Sequence, residues 1–524
     1  MKSSRLYIAI LATATLSLIL SMNMPVRSCD IAVVSAHLST NGRPFIWKNY
    51  DNSQSYQQQI KYFSQVGAGG GYIILFYHNE FSELISGDPT TAQAGVNETG
   101  LAMAVTSVYE DLTNPINEAG NMNVQLMLSA LQTCTNLADF DDFLMDVWPM
   151  ANPGHAISGN FVVIDAQGGA ALYELYTGQA TVTGIPTILT RKHDANTGII
   201  TDQTGAQVGV EANDGNFYGF VNATNSHYWL PDNAGSERKE RATTLLTNLA
   251  TKSDGYTQGL NPQSMMRVVS KDINGKQVTT APDSIHTYST TYCISRSATR
   301  SGTVIEGVPE MGNVNLTTFW CALGEPSIAC FVPYFIAAKG VSYLAYIDSI
   351  SADGTWNDLT DSSLLTDAED THETYNDLLY TSNRGDIIWG PYANFINLDE
   401  LTAEQTAWMF PIEDIVYQNT VSFLNNAANI TQAGLKEFSD YCAQFTYDNY
   451  THASSTYSSW AYATTPTPST PDDTSNSSLS PEPQPSDRAE ADDGGSGDSG
   501  GSDSSGGSDG GGCFIATGMY HSAG

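Results

Sequence analysis

Residues 29–51, CDIAVVSAHLSTNGRPFIWKNYD, decide how the rest of this chain is read. Two apolar runs, 31–34 and 45–47, flank an Asn41-Gly42 pair, and a cluster of polar groups, Lys48, Asn49 and Asp51, follows the second run. Asn-Gly between apolar runs is strong turn chemistry, because both residues tolerate left-handed backbone. What precedes the stretch matters equally. Residues 1–28 read as an export leader: Lys2 and Arg5 give a positive start, and the apolar run 6–20 is shorter than the roughly 20 residues that a membrane span needs. Val26-Arg27-Ser28 places small or β-branched residues at the third and first positions before Cys29, so cleavage by signal peptidase would leave Cys29 as the mature first residue. A lipoprotein leader is the rival reading, and Arg27 argues against it, since a lipidation box has small residues directly before its cysteine. The expectation is an exported protein: periplasmic, secreted or cell-surface associated.

The 524 residues carry 56 acidic against 21 basic side chains, a formal charge of −35. That balance repels a polyanion, so nucleic acid is excluded as a partner. Seven cysteines are present, at 29, 134, 293, 321, 330, 442 and 513. Outside the cytoplasm some could pair, Cys321 with Cys330 being the nearest candidates, but spacing does not fix connectivity.

Residues 29–462 form the body of the chain. Near-continuous apolar runs such as GYIILFYH, GLAMAVTSVY, NFVVIDA and SIACFVPYFI suit strands buried on both faces. MNVQLMLSALQT (122–133) and SERKERATTLLTNLAT (236–251) repeat apolar residues at three and four, which predicts helices. The two element types alternate irregularly, without a repeated strand-helix unit, and predict a layered α+β body. Residues from about 345 to 462 are a less certain extension of it. From 463 to 512 the chain is Pro, Ser, Gly and acid with almost no apolar side chains, which predicts a disordered acidic tether. Residues 513–524, CFIATGMYHSAG, form a small apolar plug at its end.

A thiol is a weak nucleophile while protonated, with a reference pKa of about 8.5. At a chain terminus it gains its own α-amine, reference pKa about 7.7–8.0, as an adjacent base. Removal of the leader would therefore switch such a residue on. With Lys48 and Asp51 standing 19 and 22 positions after Cys29, the stretch resembles the amino-terminal hairpin of cysteine-type Ntn hydrolases. That group includes the family C69 dipeptidases, choloylglycine hydrolases and the acyl-coenzyme A:6-aminopenicillanate acyltransferases. GVNETGLAMAV (95–105), NATNSHYWL (222–230), SERKERATTLL (236–246) and TTFWCALGEPSIACFVPYF (317–335) extend the resemblance in the same order. It implies a four-layer αββα sandwich and cleavage of linear amides in small substrates, dipeptides or N-acyl amino acids, through an acyl-cysteine. An acyltransferase of the same fold is the alternative, and a non-catalytic surface binding protein on a flexible stalk is the contrary class.

By the same resemblance Cys29 is the nucleophile, Asp51 orients its α-amine, and the Asn225 amide donates to the tetrahedral oxyanion. Lys48 stands where the bile-salt enzymes have arginine. An arginine of the following helix joins the site, with Arg241 preferred over Arg238. The carboxy-terminal GGGCFIATGMYHSAG resembles the bacterial CFI-box motif, which makes sorting machinery a candidate partner beside signal peptidase and a small amide substrate.

Other motifs carry little. GAGGGY at Gly67 lacks the Lys-Ser/Thr of a phosphate loop and reads as a bend before a strand. NETG at Asn97 reads as a tight turn. HETYND at His372 lacks the second histidine of a zinc helix, and the tail aspartates lack the register of a calcium loop. No cofactor and no metal is therefore expected.

Overall fold

A computed structural model describes most of residues 29–345 and 409–449, together with strand 395–397, Gln405 and Tyr462. The leader, the tether and the CFI-box-like end lie outside the described residues. Two large antiparallel sheets face each other. The six-stranded sheet runs, in spatial order, β12 (Phe220–Ala223), β1 (Cys29–Val34), β2 (Phe45–Asp51), β15 (Thr299–Glu306), β16 (Thr318–Leu323) and β17 (Val332–Phe335). The nine-stranded sheet runs β11 (Gln207–Val210), β10 (Ile199–Asp202), β9 (Ile188–Asp194), β8 (Ala170–Thr177), β7 (Ser158–Ile164), β6 (Ala102–Ser107), β5 (Ala92–Asn97), β4 (Tyr72–Tyr77) and β3 (Gln58–Phe63). A third, minor sheet joins β13 (Lys276–Gln277), β14 (Thr287–Ser289) and β18 (Phe395–Asn397).

The opening stretch is the β1–β2 hairpin, in register from Cys29↔Tyr50 to Val34↔Phe45. Its turn depends on Gly42, whose φ of 68° is left-handed backbone that a side chain would strain. β12 flanks β1 and β15 flanks β2, so the hairpin has no free edge and every residue of both strands is buried. That explains its near-continuous apolar sequence. Side chains on alternate positions go to opposite layers. On β7, Phe161 and Val163 join a cluster with Val124, Met127, Leu128 and Leu131 of the Asn123–Thr133 helix, while Val162 and Ile164 face the six-stranded sheet. Beyond the six-stranded sheet lie the Ser236–Thr251 helix, through Ala242, Leu245, Leu246 and Leu249, and the short helical segment Met265–Ser270. Helices thus pack on each of the two large antiparallel sheets, an α+β arrangement. Each large apolar side chain removed from water between them contributes about 1.5–3 kcal/mol.

Both helices read from the sequence form within one residue of their expected bounds. Asn97 makes the expected turn, accepting from the Thr99 and Leu101 backbone N–H groups, and its amide also donates to the Leu131 and Cys134 carbonyls at 2.9 Å. Thus one turn fixes a helix end to a sheet. Gly95 lies under that helix, where a Cβ would come within 2.7 Å of both Ile74 and Leu131. The candidate pair Cys321 and Cys330 forms no disulfide, and the six cysteines of the described residues are buried without one.

The extension is a packing layer. Helices Phe410–Leu424 and Gln432–Asn449 send Ile412, Val416, Phe423, Leu435, Phe438 and Cys442 into the same core as β17. The fully buried Lys271 ammonium pins the first of them, pairing with Glu413 at 3.0 Å and donating to the Pro326 and Ala329 carbonyls. Among the described residues no helix is long and apolar enough to cross a membrane.

Candidate active site

Cys29 opens β1, with Tyr50 across from it and Lys48 two pairs further along on the same face. That face looks toward the nine-stranded sheet, because Lys48 Nζ reaches the Val105 carbonyl on β6 at 2.5 Å. The Lys48 ammonium also lies 5.5 Å from the centre of the Tyr50 ring, and among the described residues it makes no ion pair. A buried cation is thereby held on the thiol's side of the hairpin.

The nitrogen of Cys29 donates to Asn225 Oδ1 at 2.7 Å. Asn225 arrives there because β12 pairs with β1, Ile31 opposite Ala223, and the chain leaves β12 beside the nucleophile. Asn160 fixes that exit by donating to the Thr224 and Ser226 carbonyls at 2.9 and 3.0 Å. The Asn225 amide nitrogen is itself engaged, with Thr106 Oγ1 at 2.8 Å and the Ser107 carbonyl at 2.6 Å. A carbonyl only accepts, so this partner fixes which side of Asn225 is nitrogen. The expected donation to an oxyanion is not what this arrangement offers: the amide hydrogens already have acceptors, and it is the side-chain oxygen that faces Cys29.

Asp51 ends β2 on the other face. Its Oδ2 receives Arg238 Nη1 at 3.1 Å and Arg296 Nε at 2.8 Å, and its Oδ1 receives the Thr299 hydroxyl at 2.7 Å. Since Cys29 pairs with Tyr50, Asp51 is the residue of β2 next to that pair. Burial would weaken the Arg296 cation, but Asp51 and Asp30 outweigh it and hold its pKa above the ordinary value. Burial lowers that of Arg238 against the pull of Asp30 and Asp51.

The preference for Arg241 is corrected. Arg238 reaches Asp51, whereas Arg241 pairs with Asp272, its Nη2 lying 2.5 Å from Oδ1. Three residues apart on one helix, the two side chains lie about 60° from each other, close enough to share a face, and each reaches its own carboxylate. Arg241 acts at one remove, because the Asp272 carbonyl accepts from the Ser295 N–H at 2.8 Å and Ser295 precedes Arg296. Ser295 also donates to Glu325, whose carboxyl burial pushes up to about 8.

Sequence reading missed Arg296, Thr299, Thr106 and Asp30. Arg296 lies in CISRSATR, about 245 residues from its partner and in no motif. Asp30 was visible as a charge set inside an apolar strand, and that was its signal. Nothing in this cluster is a metal site: among the described residues no group of three or more His, Cys, Asp or Glu side chains is placed to hold an ion.

Residues 38–229 match the family model described as acyl-coenzyme A:6-aminopenicillanic acid acyl-transferase, a little over a third of the chain. The matched stretch contains Lys48, Asp51, Thr106 and Asn225; Cys29, Arg238, Arg241 and Arg296 lie outside it. No curated protein matches the chain. Over residues 38–229 the chain is thus similar to the acyl-coenzyme A:6-aminopenicillanic acid acyl-transferase family, a member of the Ntn hydrolases.

Proposed function

We propose that the exported, processed chain is an Ntn hydrolase in the four-layer sense, attacking linear amides of small substrates, dipeptides or N-acyl amino acids, through Cys29. The observation that supports this reading is the treatment of one nitrogen: Cys29 N is held at 2.7 Å by Asn225, and Asp51, with its two guanidinium partners, follows Tyr50, the residue paired with Cys29. While the leader remains, that nitrogen is an amide and has no basic lone pair. Once it is an amine, it takes the proton from Sγ as the sulfur attacks the substrate carbonyl, and it returns the proton to the departing amine. The acyl-thioester then passes to water or to a second amine. Asn225 and Asp51 hold the amine, and Lys48 supplies positive charge on the thiol's face. The family match favours a second reading, acyl transfer, in which an amine acceptor takes the place of water.

The test begins with the mass of the mature amino terminus, then measures amine release from a panel of dipeptides and N-acyl amino acids, with and without an acyl-thioester donor and an amine acceptor. Cys29→Ser and iodoacetamide treatment are expected to abolish turnover. Turnover that persists in Cys29→Ser protein would remove the sulfur from the chemistry.

A further inference from the structure

The hairpin places a second carboxylate beside the nucleophile, and neither the resemblance nor the family match gives it a role. Asp30 follows Cys29, pairs with Asn49 across the hairpin and is 1% exposed. Neither of its carboxylate oxygens accepts a hydrogen bond. The nearest cation is Arg238, whose Nη1 lies 3.6 Å from Asp30 Oδ2 and 3.1 Å from Asp51 Oδ2. One guanidinium nitrogen thus stands between two carboxylates and makes a hydrogen bond to only one.

We propose that Asp30 is a positioning residue for the unmasked Cys29, a carboxylate that shares Arg238 with Asp51 and raises the proton affinity of the terminal amine and thiol. The proposal rests on the reading of Cys29 as a terminal nucleophile. The charged groups around Asp30 come from each neighbouring element: Arg238 from the Ser236–Thr251 helix, Arg296 from the segment before β15, Asp51 and Lys48 from β2, and Cys29 from its own strand. Two acids face two guanidinium groups, and removal of the leader adds an ammonium one residue from the acid that lacks donors. A buried carboxylate without donors is costly until such a cation appears. Burial pushes the Asp30 carboxyl up to about 6, against the pull of Arg238, so it carries its charge through the pH range in which the amine loses its proton. Linkage is reciprocal: the carboxylate favours the ammonium as the ammonium favours the carboxylate.

The test needs no substrate. In the processed protein, the rate of Cys29 alkylation by iodoacetamide is followed from pH 5 to 10 by peptide mass, in wild type, Asp30→Asn and Asp30→Glu. Asp30→Asn is expected to move the midpoint down by about half a pH unit to one unit, and Asp30→Glu to restore the wild-type midpoint. A merely structural role would leave the midpoint in place. An unmoved midpoint in Asp30→Asn, with Cys29 confirmed as the first residue, overturns the proposal and leaves the proposed function standing. A wild-type protein in which Cys29 is not the first residue overturns both. Should Asp30→Asn fail to fold, Asp30→Ser is measured by the same criterion.

Discussion

Glu325→Gln separates a protonated buried acid from an ionised one. Glu325 is fully buried, accepts from the Ser295 hydroxyl and has a carboxyl that burial pushes from 4.5 up to about 8, with Arg300 pulling the other way. A folded-state pKa above the unfolded value means that the folded chain binds the proton more tightly. That stabilisation is complete below about pH 4.5 and is lost as pH rises through about 8. The interval, 8 − 4.5, is 3.5 pH units. At about 1.36 kcal/mol each it amounts to roughly 5 kcal/mol as an upper bound, since relaxation and entering water reduce it. Glutamine keeps an acceptor for Ser295 and carries no proton to lose. Urea unfolding of both proteins at pH 4.5, 6, 7 and 8.5 gives the difference in stability. It is expected to grow in favour of glutamine by at most about 1.4 kcal/mol per pH unit and to level off above pH 8. A difference that is constant across the four pH values would show that Glu325 keeps one charge state throughout, and the account of its burial would be wrong.

Arg238→Met is expected to lower kcat/KM about a hundredfold by releasing Asp51 and Asp30, whereas Arg241→Met, whose residue pairs with Asp272, lowers it less than tenfold in protein that remains folded. Equal losses in steady-state assays would undo the assignment of Arg238. Glu413→Gln removes the carboxylate that pairs with the buried Lys271 ammonium and is expected to cost roughly 3 kcal/mol in denaturant unfolding, with the Cys29 alkylation profile unchanged. A loss under 1 kcal/mol would mean that this pair does not pin the extension.

The hairpin, the two amphipathic helices and the layered α+β character were legible because each is local: an Asn-Gly turn, apolar spacing at three and four, and runs with no polar alternation. Lys48, Asp51 and Asn225 were legible through their order relative to Cys29. The orientation of Asn225 was not, because it is set by Thr106 and Ser107 on the opposite sheet. The choice between Arg238 and Arg241, about 60° apart on one helix, depends on which carboxylate each one meets, Asp51 or Asp272, and the sequence does not encode that pairing. Arg296 was hidden because its partner lies across the sheet and far along the chain. The extension was opaque for another reason: its apolar residues fit the core of β17, and a helix that completes an existing core carries no signature of its own.

The two helices over β17 also govern where this protein can be divided. A fragment ending near residue 345 retains every sheet strand assigned to the cluster around Cys29, yet it strips the cover from Trp320, Tyr334, Phe335 and Ile336, which are buried in the intact chain. Such a fragment would present a contiguous greasy strip and self-associate, so expression boundaries drawn near residue 345 would yield aggregates, while those drawn after Asn449 would keep the strip sealed.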